Sequence, residues 1–306
     1  MECFVHADKK YFPEYNWFEK AISYPYKAPT TSFTFKNGKF YQGIHISLKD
    51  RVPILSIGSN RSPYQLKNKF GVKENLCVTP AKLYNSVIVY AASMSAYGSI
   101  PATQWPCEGS VSDLNLLWLN HDQLQIMHLS EGLGIAYHYV ELDKNTVTIQ
   151  EDDYSGPIFG YISTRGGYLF DGNEPLRLKN IKSNTNKHSS INEYQALNKL
   201  FLENPGGQTS LEIWLKNLIS NKSKRLLLIN KMSKTYFQRI SDMNISFDVF
   251  SYWFDITGLQ RHLKAIGIFS RLNYRDSKPS YMNDIPRTLS YVRETVSKYD
   301  ELREVK

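Results

Sequence analysis

From Arg51 onward the apolar positions fall into short runs broken by turn residues. These are Val52 to Ile57, Ser86 to Tyr90, Leu114 to Leu119, Tyr137 to Leu142 and Thr146 to Ile149. Runs of this length, rich in β-branched and aromatic residues, predict strands of a mostly antiparallel sheet closing into a small β-barrel. Two helices interrupt them. Ser62-Pro63 supplies an N-cap and a first-turn proline for a helix through Phe70, stopped by Gly71. Asn120 caps a second, from His121 to Glu131, with Leu124, Met127 and Leu129 as core contacts and Gly132 as its stop.

After Asp171-Gly172-Asn173 the strand texture ends, and the polar stretch from Lys182 to Ser190 reads as a linker. Apolar spacings of three and four then predict helices over Ile191 to Glu203, Ser210 to Ile219, Arg225 to Ile240, Phe247 to Phe269 and Ile285 to Tyr299. The first fifty residues are rich in aromatics without a sustained period, which predicts an arm packed on the next domain. The expected organisation is α+β: an arm over 1–50, a barrel over 51–175 and a helical C-terminal region over 191–306.

Composition sharpens this only in part. A chain of 306 residues that is 42% hydrophobic supports a sizeable core. No apolar run reaches membrane-spanning length, so no membrane is expected. Residues Met1 to Asp8 lack a basic stretch followed by an apolar one, and Cys3, Cys77 and Cys107 lack a paired spacing. A soluble, cytoplasmic protein is the expectation. The net charge of +8 is uneven: residues 174–306 carry 22 Lys+Arg against 13 Asp+Glu. This basic excess on helices offers a surface for a protein partner, whereas no Lys/Arg block or recognisable module points to nucleic acid.

The candidate chemistry begins at Ile57-Gly58-Ser59-Asn60-Arg61, where a strand passes through a glycine turn into a capped helix. Backbone N–H groups at such a junction bind anions, carboxylates among them. The turn alone is common. Its weight comes from the order of the downstream motifs: Tyr97-Gly98-Ser99-Ile100-Pro101-Ala102-Thr103, then Pro106-Cys107-Glu108-Gly109-Ser110-Val111, then a strand, then a helix ending Ser130-Glu131-Gly132 with Tyr137 beyond. This series over Arg51 to Phe170 resembles the γ-glutamylcyclotransferase-like proteins. The resemblance implies a cofactor-independent and metal-independent enzyme that cyclises a γ-glutamyl amide to 5-oxoproline and releases an amine. Glu131 would inherit the proton-shuttling role, and Gly58-Ser59-Asn60 would hold the small-molecule γ-glutamyl substrate with Ile57, Arg61 and Tyr137 beside it. Ile57 stands where the family has a tyrosine, and Arg61 after the turn reads equally as a carboxylate partner in compensation or as an exposed surface arginine. A non-catalytic binding or scaffold protein with the same barrel is the alternative. His121, His128, Glu131 and His138 lack the spacing of established metal sites, and Cys107 has no evident histidine partner.

A second resemblance lies near the C-terminus. The run from Trp253-Phe254-Asp255-Ile256-Thr257-Gly258 to Tyr281-Met282-Asn283-Asp284-Ile285-Pro286-Arg287 is similar to the final helices of anomeric amino-sugar kinases of the aminoglycoside-phosphotransferase superfamily, over about 247–295. That family's His-Gly-Asp and Asp-Phe-x-Asp signatures are absent upstream, so kinase activity is not implied. Phe247, Phe250, Trp253 and Phe254 are expected in a core or an interface.

Overall fold

A computed structural model describes residues 9–149, 154–172, 174–240, 247–277 and 279–305. The chain divides into two compact units, Met1–Tyr236 and Phe237–Lys306. In the first, helix α1 (Trp17–Ile22) precedes a hairpin of β1 (Phe33–Lys36) and β2 (Lys39–Gln42). Next come β3 (Val52–Ser56), α2 (Pro63–Phe70), two long strands β4 (Leu76–Tyr90) and β5 (Ala102–Leu119), and α3 (His121–Glu131). The strands β6 (Tyr137–Glu141), β7 (Val147–Ile149) and β8 (Phe159–Ser163) follow, then the two-residue strands β9 (Leu169–Phe170), β10 (Glu174–Pro175), β11 (Arg177–Leu178) and β12 (Ser190–Ile191). Helices α4 (Glu193–Glu203) and α5 (Leu211–Ser220) complete this unit together with the start of α6 (Lys222–Ile240).

The sheet runs β12-β11-β4-β5-β3-β8-β6, with β1 and β7 also paired to β4 and β2 to β1. Most pairings are antiparallel; β3 with β8 and β11 with β12 are parallel. Among the described residues no pairing joins β12 to β6, so the sheet is open rather than closed into the expected barrel. The reason lies in burial on both faces. Leu55, Cys77, Leu116 and Trp118 enter one cluster with residues of α4, α5 and α6, while their neighbours Ile54, Val78, Leu117 and Leu119 enter another with Leu66 and Phe70 of α2 and Met127 of α3. Alternate side chains therefore both meet apolar layers, which is why Leu114 to Leu119 reads as a nearly unbroken apolar run.

The aromatic N-terminal stretch contributes directly to this core. Phe33, Phe35 and Phe40 of the hairpin are buried in the α2–α3 cluster, and β1 pairs with β4 from Phe33↔Val78 to Phe35↔Leu76. Asn16 closes a capping box at α1, and Asn120 and Asn192 do the same at α3 and α4.

The second unit is built on α7 (Phe247–Asp276) and α8 (Ile285–Val296). Leu259, Val292 and Val296 form its small buried cluster, and Asp255 Oδ2 accepts from Tyr299 Oη at 2.8 Å and Lys298 Nζ at 3.1 Å. The side chains of Phe247, Phe250, Trp253 and Phe254 lie outside those described. No helix among the described residues is long and apolar enough to cross a membrane.

Candidate functional site

The glycine turn sits where β3 leaves the sheet. After Ile57, Gly58 opens a single 3-10 turn, Ser59–Arg61, which Ser62 N–H closes by donating to Ser59 O at 2.9 Å, and Pro63 then starts α2. Glycine is required at 58 by space rather than by its dihedral angles. A Cβ there would lie 2.1 Å from Tyr24 Oη, so the buried Tyr24 hydroxyl and the Gly58 backbone share one spot. Among the described residues the Ser59 and Asn60 N–H groups make no backbone hydrogen bond outside their own turn.

Glu131 reaches the same place from the opposite side. Its helix is fixed at the start by the Asn120–Gln123 capping box, and Arg51 Nη1 donates to Gln123 Oε1 at 2.9 Å and to Trp118 O at 3.2 Å. It stops at Gly132, whose φ of 61° is the left-handed conformation that glycine adopts without Cβ strain. Asn60 Nδ2 donates to Glu131 Oε1 at 3.0 Å. The two stretches singled out in the sequence thus meet, across a cavity of about 560 Å³ lined by Ile57, Gly58, Ser59, Asn60, Glu131 and Tyr137.

Lys69, near the end of α2, completes the polar cluster. Its ammonium pairs with Glu131 Oε1 and also donates to Asn60 Oδ1 at 2.8 Å, with Met127 Sδ at 3.4 Å. The side chains of Lys69 and Glu131 are 7% and 15% exposed, so this ion pair is largely withdrawn from water. Asn60 bridges it, donating to the carboxylate and accepting from the ammonium.

Four phenols, Tyr24, Tyr97, Tyr137 and Tyr161, also line the cavity, together with Lys20, Gln65 and Asn68 among others. Ala102, at the start of β5, is held between two of them: its N–H donates to Tyr24 Oη at 3.0 Å, and its carbonyl accepts from Tyr137 Oη at 2.9 Å. Burial pushes both phenols well above their ordinary range, and for Tyr137 the Glu131 charge adds to the effect. Tyr161 Oη pairs with His128 Nδ1 at 2.7 Å, and burial holds that imidazole down at about 4, with His121 contributing. His128 is accordingly neutral near pH 7.

Of the residues expected at the site, Ile57, Gly58, Ser59, Asn60, Glu131 and Tyr137 line this one cavity. Arg61 does not. Its side chain is buried on the other side of the turn, where Nη1 donates to Asp113 O at 3.3 Å, and it lines a separate cavity of about 330 Å³. Burial lowers the guanidinium to about 10, against the pull of Asp113. Sequence reasoning missed Lys69 and Tyr24. A signal for Lys69 exists: it follows the buried Leu66 by three positions, which places it on the same helix face. Tyr24 comes from the aperiodic aromatic stretch and has no local signal.

No protein-family model matches the chain. It is 53% identical over 57 residues to the N-acetylmuramate/N-acetylglucosamine kinase of Neisseria meningitidis serogroup B, which is 19% of this chain and 17% of that one. It is 47% identical over 60 residues to the Pseudomonas aeruginosa kinase of the same name, which is 20% of this chain and 18% of that one. The chain thus spans less than a fifth of the length of these curated relatives. Among solved structures, an uncharacterized protein from Homo sapiens aligns over 38% of this chain and 68% of its own at 17% identity and a TM-score of 0.31. A gamma-glutamyl cyclotransferase aligns over 37% and 67% at 14% identity and the same TM-score of 0.31. The chain is similar to γ-glutamylcyclotransferase-like structures over 37 to 38% of its length and to N-acetylmuramate/N-acetylglucosamine kinases over 19 to 20% of it.

Proposed function

We propose that the first unit is a γ-glutamylcyclotransferase-like enzyme that cyclises a γ-glutamyl amide to 5-oxoproline and releases an amine. One observation carries this reading: Asn60 of the glycine turn and Glu131 of α3 are hydrogen-bonded at 3.0 Å across a common cavity. In the proposed reaction the substrate's α-carboxylate lies against the Ser59 and Asn60 N–H groups. The α-amine attacks the γ-carbonyl carbon, forming the ring C–N bond, and the amide C–N bond breaks. Glu131 takes the proton lost by the attacking amine and passes it to the departing nitrogen, so no proton is gained or lost overall. Holding both ends of one molecule favours this intramolecular attack.

Lys69 bears on how the site works. While it pairs with Glu131, the carboxylate is held by the ammonium and by the Asn60 amide. A substrate carboxylate entering near the turn would compete for the Lys69 ammonium and release Glu131 toward the amine. The same ion pair favours the second reading, a binding protein that keeps the cavity without turnover, because a permanently paired carboxylate is no base. Incubation of the full chain with γ-glutamyl dipeptides and γ-glutamylamines, with mass-spectrometric detection of 5-oxoproline, separates the two. Product is expected from at least one series; substrate that binds but stays intact would establish the binding protein instead.

A further inference from the structure

The cavity behind the turn has no part in the proposed chemistry, yet its charges are arranged in an unusual way. Arg61, Lys10 and Lys27 line it with Tyr11, Tyr26 and Asn180, and no Asp or Glu does so among the described residues. Arg61 is only 9% exposed, and its one hydrogen bond among the described residues goes to a backbone carbonyl, Asp113 O at 3.3 Å. A guanidinium has five N–H donors in a planar fork, and it keeps its charge at neutral pH where a buried carboxyl would shed its own. The acid that acts on it, Asp113, has a side chain 47% exposed and lies 3.9 Å from Lys182 Nζ. Lys10 lies over the Tyr11 ring at 4.8 Å from its centroid, so the aromatic wall and the cationic wall are continuous.

We infer that this cavity is a second ligand site that binds the phosphate group of a small phosphorylated molecule, with the Arg61 fork on the phosphate oxygens and the Tyr11 and Tyr26 rings against the remainder. The buried Arg61 guanidinium, with the exposed Lys10 and Lys27 at the cavity's edge and no lining acid among the described residues, matches a dianion better than a single carboxylate. Guanidinium–phosphate pairs are also bidentate and charge-assisted. At about 330 Å³ the space exceeds a bare phosphate and suits a compact monoester. Asn60 lines one cavity and its neighbour Arg61 the other, so this site is separate from Glu131.

Titration of inorganic phosphate into the full chain at constant ionic strength, followed by calorimetry and thermal shift, tests the assignment. A saturable heat and a rising Tm are expected for phosphate, and neither for acetate. Arg61→Gln should abolish binding. Should that buried variant fail to fold, the Lys10→Gln/Lys27→Gln double variant carries the test, with an expected loss of affinity of about tenfold or more. Phosphate binding is read without any γ-glutamyl substrate and 5-oxoproline formation without phosphate, which keeps this result independent of the proposed enzymatic activity. The inference is overturned if phosphate acts no more strongly than chloride, if acetate binds equally well, or if the double variant retains wild-type affinity.

Discussion

Asn60 and Arg61 are adjacent in sequence and serve two cavities that handle charge in opposite ways. On the Asn60 side a cation and an anion, Lys69 and Glu131, are buried together and bridged by an amide. On the Arg61 side a buried guanidinium is flanked by the exposed Lys10 and Lys27, and no Asp or Glu lines the cavity among the described residues. Ion pairing compensates the first cavity internally, whereas in the second the buried guanidinium donates to a backbone carbonyl and the two lysines are exposed. The difference teaches that one tight turn can direct adjacent side chains into two cavities of different charge, provided that glycine lets the backbone pass close to Tyr24.

The comparison breaks most visibly at Glu131. Glu131→Gln keeps the shape and the Asn60 contact but removes the acid/base, so 5-oxoproline formation should fall by about 100-fold or more. Equal product yields from variant and wild type would remove Glu131 from the chemistry. Next in size is Lys69→Met, which leaves the carboxylate buried without its partner and should cost about 3 kcal/mol in denaturant unfolding. A much smaller loss would mean that the pair is not sealed from water. Gly58→Ala should cost about 1–3 kcal/mol, because its methyl collides with the Tyr24 hydroxyl. In a Tyr24→Phe background the cost should shrink, and an unchanged cost would place the conflict elsewhere.

A buried carboxyl outside both cavities has an effect that depends on pH. Glu193 at the start of α4 is 1% exposed, accepts from Ile100 N–H at 2.6 Å through Oε1, and has no partner for Oε2 among the described residues. Burial lifts its carboxyl well above the usual range, with the Ile100 N–H opposing. The unfolded chain releases this proton near pH 4.3 while the folded chain keeps it, so stability from this group is full below that pH and is lost as pH rises. Relative to Glu193→Gln, the wild type should lose up to about 1.4 kcal/mol per pH unit above that point. Parallel pH–stability curves for the two would show that Glu193 is ionised when folded. The contrast with Arg61 is physical: a buried carboxyl without an ion-pair partner becomes neutral, and a buried guanidinium does not.

Much of the site was legible in the sequence because it rests on local signals. Ser62-Pro63 and Gly71 bracket α2, Asn120 and Gly132 bracket α3, and these two helices carry Lys69 and Glu131. The meeting of Asn60 with Glu131 was implied by the resemblance to the γ-glutamylcyclotransferase-like proteins that the order of motifs carries, not by any local signal. The strands were harder. β4 and β5 extend well beyond the apolar runs, through Pro80 in regular register and, at an irregularity between Tyr84 and Ser86, through the turn-like Asn85 in one strand and Gly109 in the other. β8 contains Gly160, packed against Leu142 where a side chain would crowd it, and so lacks the alternation that marks a strand. Leu129, read as a core position, is 38% exposed while Met127 is fully buried. The side Arg61 would take could not be read at all, because a turn residue has no period.

The central claim is that the Gly58 turn and Glu131 act on one molecule in one cavity. Amide spectra of isotopically labelled Glu131→Gln, recorded while an intact γ-glutamyl dipeptide is added, test this most directly. The Ser59 and Asn60 backbone signals and the Asn60 side-chain amide should all shift along a common saturation curve. Shifts confined to other parts of the chain, with these three signals unmoved, would contradict it.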